Sequence, residues 1–298
     1  MRSASRAVRV LGLAAALAWA PPASAADTRP VTDSAGRRAV VPTRIDRVYA
    51  AGAPASILVY TLAPDKLLGW TRPLTPAERA LVPARYAELP TLGRLTGRGN
   101  TASVETVLAA KPDVIVDYGS LAPTYASLAD RVQQQAGVPY LLFDGSFSAI
   151  PRVYALLGDV LGVPERGREL ARRADRLLAD TDRRVAQVPA GKRPSVYYAR
   201  GPRGLETASR GSINVETLDR LGVRNVADQL GRAGVSTVSM EQVLAWDPGI
   251  VIAIDPGFVT AVRTDPVWKS VRAVQDGRVY LRPRHRFPGS TSRRRSTG

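Results

Sequence analysis

The chain reads as an α/β protein of two lobes, each built on a parallel central sheet, and three observations carry that reading. The first is an internal echo. The run from Ser103 to Val116, SVETVLAAKPDVIV, returns 136 residues later from Ser239 to Ile252 as SMEQVLAWDPGIVI, with six of fourteen positions identical. Each copy has a Ser ahead of a short apolar segment, a Glu two residues on, a Pro that stops the helix and a β-branched run suited to a buried strand. At so long a period, repetition means a duplicated lobe rather than a solenoid. The second observation is that short apolar runs alternate with helical patterns throughout, the order that favours parallel sheets. The third is a long helical stretch between the two halves.

In the first half, Arg47 to Ala51, Lys66 to Trp70, Val114 to Tyr118 and Tyr140 to Phe143 read as strands. Helical segments cover Ala53 to Leu62, the run after Ser103, and Thr124 to Ala136. In the second half, Ser195 to Ala199 and Ile250 to Ile254 are strands, while Ser212 to Leu221 and Ser239 to Leu244 are helices. Between them, Ala149 to Val188 carries apolar residues at Val153, Leu156, Leu157, Val160 and Leu161, then at Leu170, Ala174, Leu177, Leu178 and Val185. Gly162-Val163-Pro164 interrupts it, so a kink or a two-helix arrangement is open. Such a stretch is either an ordinary crossover helix or a stiff connector that limits the lobes to small opening motions.

The N-terminus has the form of an export signal over residues 1–25. Arg2, Arg6 and Arg9 precede an apolar run from Val10 to Ala20, and Ala23-Ser24-Ala25 supplies a small-x-small cleavage site. The apolar run is too short to remain as a membrane anchor. Cysteine is absent, which removes disulfides, thiolate metal sites and the cysteine that a lipid-anchored start requires. The expectation is a soluble, unanchored protein of the periplasm. The formal net charge is +16, but three of the arginines lie in the signal and six between Arg282 and Gly298, which leaves +7 for the folded body. Together with export, that distribution argues against a nucleic-acid partner.

The residues also resemble a family: the ABC-importer binding proteins for ferric siderophores, haem and vitamin B12. The likeness opens at Val31-Thr32-Asp33-Ser34-Ala35-Gly36-Arg37 and Val41-Pro42-Thr43-Arg44-Ile45, which resemble a leading hairpin and the approach to the first strand. It continues through Leu92-Gly93-Arg94, Lys111-Pro112-Asp113-Val114-Ile115, Ser212-Ile213-Asn214, Gly222-Val223-Arg224-Asn225-Val226 and Val238 to Leu244. Each piece is a weak signal; their order and spacing together are strong. The resemblance implies two Rossmann-like lobes joined by a single long interlobe helix, the class III periplasmic binding protein fold. The division is then residues 26–148 for the N-terminal lobe, 149–188 for the interlobe helix and 189–281 for the C-terminal lobe. It implies a partner too, an inner-membrane ABC permease dimer with its ATPase, served by a monomeric binding protein. In that family an exposed glutamate on each lobe docks on permease arginines, and the matching positions are Glu105 and Glu241. Both also sit in the first turn of a helix, where a carboxylate is favoured by the dipole with no partner at all.

Parallel sheets place ligands at the loops after strand C-termini. The candidate ligand-binding residues are therefore Arg94, Tyr118 and Ser146 from the first lobe and Tyr198, Arg200, Arg203 and Phe258 from the second. Arginines bind anionic oxygens in bidentate fashion, and aromatic rings pack on a chelate or macrocycle. With one His and no Cys, capture of a bare transition metal is disfavoured and no metal site is assigned. A preformed small-molecule metal complex asks only shape and charge of the protein. An iron chelate such as a ferric siderophore is the leading expectation, with cobalamin, haem or an oxyanion such as molybdate as alternatives. No cofactor is expected. A secreted α/β enzyme is the rival class, but no Gly-x-Ser-x-Gly and no phosphate-loop pattern occurs, and no catalytic residue is assigned.

The stretch 282–298 departs from the family, which continues through an aromatic segment and a Pro-Pro-Ser-x-Asn-Arg stretch into a closing helix. Here it is arginine-rich without apolar period, and the lone His285 within it is given no role. A GC-rich back-translation from Arg284, read two bases later, restores a Pro-Pro-Ser-Val-Asn run, so a frameshift is expected there rather than a basic tail for anionic surfaces. A frameshifted chain would expose apolar surface in place of its final helix and lose part of a cleft wall.

Overall fold

A computed structural model describes residues 27–97 and 100–282 of the protein. The expected leader and the tail beyond Arg282, His285 included, lie outside the described residues. Antiparallel strands β1 (Thr28–Thr32) and β2 (Arg38–Pro42) open the first lobe. Their turn is held by buried Asp33, which accepts from the backbone N–H groups of Ala35, Arg37 and Leu142 and pairs with Arg37 Nη1 at 2.9 Å. Next come β3 (Val48–Ala50), α1 (Ala53–Leu62) and two single-turn helices, α2 (Pro76–Arg79) and α3 (Ala84–Ala87). The lobe continues with α4 (Val104–Ala110), β4 (Val114–Gly119), α5 (Pro123–Ala136) and β5 (Tyr140–Asp144).

Strands β3, β4 and β5 pair in that order, all parallel. Their side chains divide between two apolar clusters. Val48, Val114, Val116, Leu141 and Phe143 pack with α1, while Tyr49, Ile115 and Tyr140 pack with Val107 of α4 and Ala129 and Val132 of α5. Burial on both faces is why these strands read as continuous apolar runs. The strand expected from Lys66 to Trp70 is instead a 3₁₀ turn at Pro64–Lys66 followed by single bridges, Val48 to Leu67 and Trp70 to Thr91, because too few residues pair there to form a ladder.

The connector consists of two helices, α6 (Ile150–Val160) and α7 (Pro164–Ala186), separated at Gly162, whose φ of +70° is left-handed. They pack together through glycines: a Cβ on Gly158 would lie 2.8 Å from Gly167 Cα, and one on Gly167 would lie 2.6 Å from Tyr154 O. Arg29 Nη2 caps the α6 C-terminus by donating to the carbonyls of Asp159 and Val160, each at 2.9 Å. α7 is the long one, at 23 residues or about 34 Å. Leu170 near its start belongs to the first lobe's core, while near its end Asp182 accepts from Arg220 Nη2 at 2.7 Å in the second lobe.

The second lobe runs β6 (Ser195–Ala199), β7 (Glu206–Ser209), α8 (Glu216–Arg220), β8 (Arg224–Asn225), β9 (Gly234–Thr237), α9 (Met240–Trp246), β10 (Ile250–Ala253), α10 (Pro256–Ala261), α11 (Arg272–Gln275) and β11 (Val279–Leu281). Its sheet has the order β11-β10-β6-β8, all parallel. The antiparallel pair β7–β9 was not foreseen, and the helix read from Ser212 begins only at Glu216, the residues before it forming a turn.

The sequence echo is a structural one. α4 and α9 each have seven residues, a Ser cap whose side chain accepts from the third helical N–H, and a left-handed non-glycine residue at the end, Lys111 (φ 44°) and Asp247 (φ 39°). Each end is covered by a distant arginine. Arg47 donates to the carbonyls of Ala110 and Lys111 at 2.7 and 2.8 Å, and Arg272 donates to that of Asp247 at 2.9 Å. Among the described residues no helix is long and apolar enough to cross a membrane.

Candidate functional site

In both lobes the strands end in loops that carry the candidate residues. After β3 the chain turns at Gly52, where a Cβ would lie 2.6 Å from Thr96 Oγ1, so a side chain there would displace the Thr96 hydroxyl. The backbone N–H groups of Leu95 and Thr96 donate to Ala51 O, which brings the segment after Arg94 to the end of β3. Behind it lies Asp117, 5% exposed. Its carboxylate accepts from Tyr140 OH (3.0 Å), the Tyr118 N–H (2.9 Å) and Thr96 Oγ1 (3.2 Å). Burial raises its pKa above the ordinary carboxylate value, and those three bonds oppose the rise.

Tyr118, half-buried in β4, lines a cavity of about 230 Å³ together with Pro54, Ile57, Trp70, Ile150 and Tyr154. Burial raises the Tyr118 pKa, so its hydroxyl is neutral at physiological pH. Arg72 stands at the same cavity, already engaged by both oxygens of Glu78 at 2.5 and 2.8 Å. That contact is the main reason the Glu78 pKa is pushed down to about 2.

Ser146 follows β5, where its N–H donates to Asp144 Oδ1 at 2.9 Å. It adjoins a contact between the lobes: the Phe147 N–H donates to Glu216 Oε1 at 2.7 Å, and a Cβ at Gly145 would meet Ile213 Cδ1 at 3.1 Å. In the second lobe Arg200 leaves β6 and pairs with Glu206 across a turn made by Gly201 and Gly204, both at positive φ. Its Nη1 donates to Asn214 Oδ1 at 2.6 Å, and Asn214 Nδ2 donates to Ser212 Oγ at 3.0 Å. The Arg200 Nε is buried without a partner in the structure. Such a donor is costly to leave unfilled.

Two expectations are corrected. Tyr198 and Phe258, read as rings for packing on a ligand, are each 2% exposed. Tyr198 packs with Val196, Val215 and Leu218, and its hydroxyl accepts from Arg282 at 3.0 Å. Phe258 meets Trp268 edge-on at 4.9 Å, and a Cβ at Gly204 would lie 2.3 Å from its ring. Both rings fill the second lobe's interior. Arg203 is exposed at the tip of the Gly201–Gly204 turn, and Arg94 lies on the segment between α3 and α4, just before the Leu95 and Thr96 N–H groups that donate to Ala51 O. Tyr118 lies on β4 and Ser146 on the loop that follows the neighbouring β5, at the same end of the sheet, where Tyr118 pairs with Phe143 and Gly119 with Asp144. Sequence reasoning missed Asp117, Trp70, Tyr154 and Asn214. Only Asn214 carried a signal, in the Ser212-Ile213-Asn214 run.

Glu105 and Glu241 are exposed at equivalent positions of α4 and α9. Each carboxylate is held below its ordinary pKa, chiefly by the cap hydroxyl of Ser103 or Ser239 and then by its own backbone N–H. Both are therefore anionic at any physiological pH. No group of three His, Cys, Asp or Glu side chains able to hold a metal ion occurs among the described residues.

Comparison with known proteins gives a consistent picture. The molybdate-binding protein MolA of Haemophilus influenzae is 26% identical, over 88% of this chain and 79% of its own length. An ABC transporter solute-binding protein of Sulfurospirillum deleyianum superposes with a TM-score of 0.71 at 31% identity, covering 86% of this chain and 80% of that one. The haem-binding protein HmuT superposes at 0.64 with 21% identity, covering 87% and 84%, a likeness of fold. Residues 65–284 match the family described as periplasmic binding protein. The chain therefore belongs to the periplasmic binding protein family, whose members are substrate-binding proteins of ABC importers and not enzymes.

Proposed function

We propose that the protein binds a preformed anionic metal complex in the periplasm, an iron chelate such as a ferric siderophore, and delivers it to an ABC permease dimer driven by its ATPase. The observation that carries this is the pairing of chemistries at the strand ends. The first lobe offers an aromatic cavity lined by Trp70, Tyr118 and Tyr154, and the second carries the Arg200 guanidinium directly after β6. A chelate with an apolar body and anionic oxygens uses both. Glu105 and Glu241 are the docking contacts in this reading, one per lobe and both exposed and ionised. The working form is a soluble monomer without a lipid anchor.

A second reading, an oxyanion such as molybdate, is favoured by the likeness to MolA. It would use Arg200 and neutral donors and leave the aromatic wall idle. Tryptophan fluorescence separates the two, because Trp70 lines the cavity while Trp246 and Trp268 belong to the second lobe's core. The protein is titrated with ferric siderophores, haem, cobalamin and molybdate. Saturable micromolar quenching by a chelate, lost in Trp70→Phe and weakened in Arg200→Gln, supports the first reading. Binding of molybdate alone replaces it with the second. Failure of the folded protein to bind any of the four sinks both.

A further inference from the structure

Helix α8 has five residues, yet it ties together three other parts of the molecule. Val215, just ahead of it, and Leu218 are buried with Val196 and Tyr198, which moors the helix in the second lobe's core. Glu216 and Arg220 stand four residues apart and so share one face. From that face Glu216 Oε1 accepts from the Phe147 N–H at 2.7 Å, in the loop after β5 of the first lobe. Arg220 Nη2 donates to Asp182 of α7 at 2.7 Å. The turn leading into α8 belongs to the same unit. Ile213 Cδ1 lies 3.1 Å from where a Cβ at Gly145 would stand, so glycine there lets Ile213 approach the first lobe. Asn214 Oδ1 accepts from Arg200 Nη1 at 2.6 Å. One moored segment, residues 213–220, thus reaches the first lobe, the connector and the candidate ligand-binding arginine.

The Phe147 N–H needs such a partner. It opens the 3₁₀ turn Phe147–Ala149, where no carbonyl of the turn can take it, and the preceding Ser146 makes no capping bond. Glu216 supplies a carboxylate from 69 residues further along the chain. A bond to an ionised acceptor is about twice as strong as a neutral one. Neither Phe147 nor Glu216 is part of an apolar cluster of its own lobe, so the bond acts between the lobes and not within one.

We infer that Glu216 is a positioning residue of the binding cleft: by clamping α8 to the loop after β5, it fixes how far Arg200 stands from Tyr118 and Ser146. The connector joins the lobes but leaves rotation about it open, and the clamp opposes that rotation. A cargo that bridges the lobes then meets a cleft already at its working width and does not spend affinity on closing it. The effect on binding rests on the cleft being the cargo site, as proposed above; the clamp itself does not.

The chain has no cysteine, so Gln135→Cys on α5 and Lys269→Cys in the second lobe, both exposed, carry spin labels at those two places alone. Double electron–electron resonance then reads the distance between the lobes in protein without cargo. The expected result is a narrow distribution for the wild-type cleft, one broadened towards longer distances in Glu216→Ala, and an intermediate one in Glu216→Gln, which keeps a neutral acceptor. Phe147→Pro removes the same bond from the other side. Ser146 already has φ −67° and ψ 148°, as a following proline demands, and the first position of a turn tolerates proline. It should reproduce the Glu216→Ala distribution, and the double variant should add nothing further. Phe147→Ala keeps the N–H and should match wild type. A Glu216→Ala distribution that superposes on wild type overturns the proposal; so does a Phe147→Ala variant that opens as far as Phe147→Pro, since the lost ring is then the cause. Binding is read by fluorescence with ferric citrate and with molybdate. Whichever binds should weaken about fivefold or more in Glu216→Ala and less in Glu216→Gln. Tighter binding in Glu216→Ala overturns positioning in favour of a carboxylate that competes with the cargo. If neither probe binds wild type while the distances shift as stated, the clamp is upheld and it is the cargo reading that fails.

Discussion

Removing the Asp117 carboxylate is the sharpest probe of how the first lobe's wall is held. In Asp117→Ala the hydroxyls of Tyr140, fully buried, and Thr96, 8% exposed, lose their acceptor, as does the Tyr118 N–H. Leaving a buried donor unsatisfied costs about 1–3 kcal/mol. Two such hydroxyls give a loss of about 2–5 kcal/mol after the desolvated charge is also removed. In a chain of this size each kcal/mol moves the melting temperature about 2–4 °C, so a fall of about 4–20 °C is expected. Asp117→Asn keeps an acceptor and the shape and loses about 1 kcal/mol. The two variants also differ from wild type in how they respond to pH. Because burial raises the Asp117 pKa in the folded state, its contribution to stability is greatest below the unfolded value of 3.8 and is lost as pH rises through the folded pKa. Asp117→Asn should therefore gain on wild type as pH is raised from about 4 towards 7. Melting followed by circular dichroism at several pH values reads both effects. An Asp117→Ala melting temperature within about 1 °C of wild type, or an Asn variant as unstable as the Ala variant, would refute the reasoning.

Two further outcomes follow from the surface carboxylates. Reversing charge in a Glu105→Lys, Glu241→Lys double variant is expected to lower uptake in cells at least tenfold while ligand affinity measured on the purified protein stays within twofold; unchanged uptake removes the docking role. Glu78, whose pKa is pushed down to about 2 by Arg72, contributes stability that is complete above about 4.5 and is lost as pH falls from there towards 2. Since the Arg72 side chain is half-exposed, the contribution is discounted to about 1 kcal/mol. Glu78→Gln should lose that amount at pH 7 and nothing at pH 2, and equal destabilisation at both pH values would dismiss the ion pair as its source.

What was legible in the sequence is what local punctuation and repetition encode. The helix at Ala53–Leu62 is bounded by Gly52, Pro54 and Pro64, and the duplicated α4 and α9 units announce themselves by Ser caps and prolines, so elements and fold class follow. Side-chain direction inside a strand buried on both faces is not encoded in this way. β6 is buried at every position, so the sequence offers no alternation to say that Tyr198 faces the interior rather than the cleft, and Phe258 is hidden by Trp268 and the Gly204 turn, which pack on it from elsewhere in the chain. Asp117 was passed over because one acid in an apolar strand resembles an edge residue until Tyr140 and Thr96 arrive from elsewhere in the chain. The stripe Leu170, Ala174, Leu177, Leu178 was visible as a helical face meant for burial, yet of these only Leu170 is buried. An apolar face that the sequence marks for burial and the described residues leave open is what the loss of a closing helix, expected from the arginine-rich stretch 282–298, would leave behind.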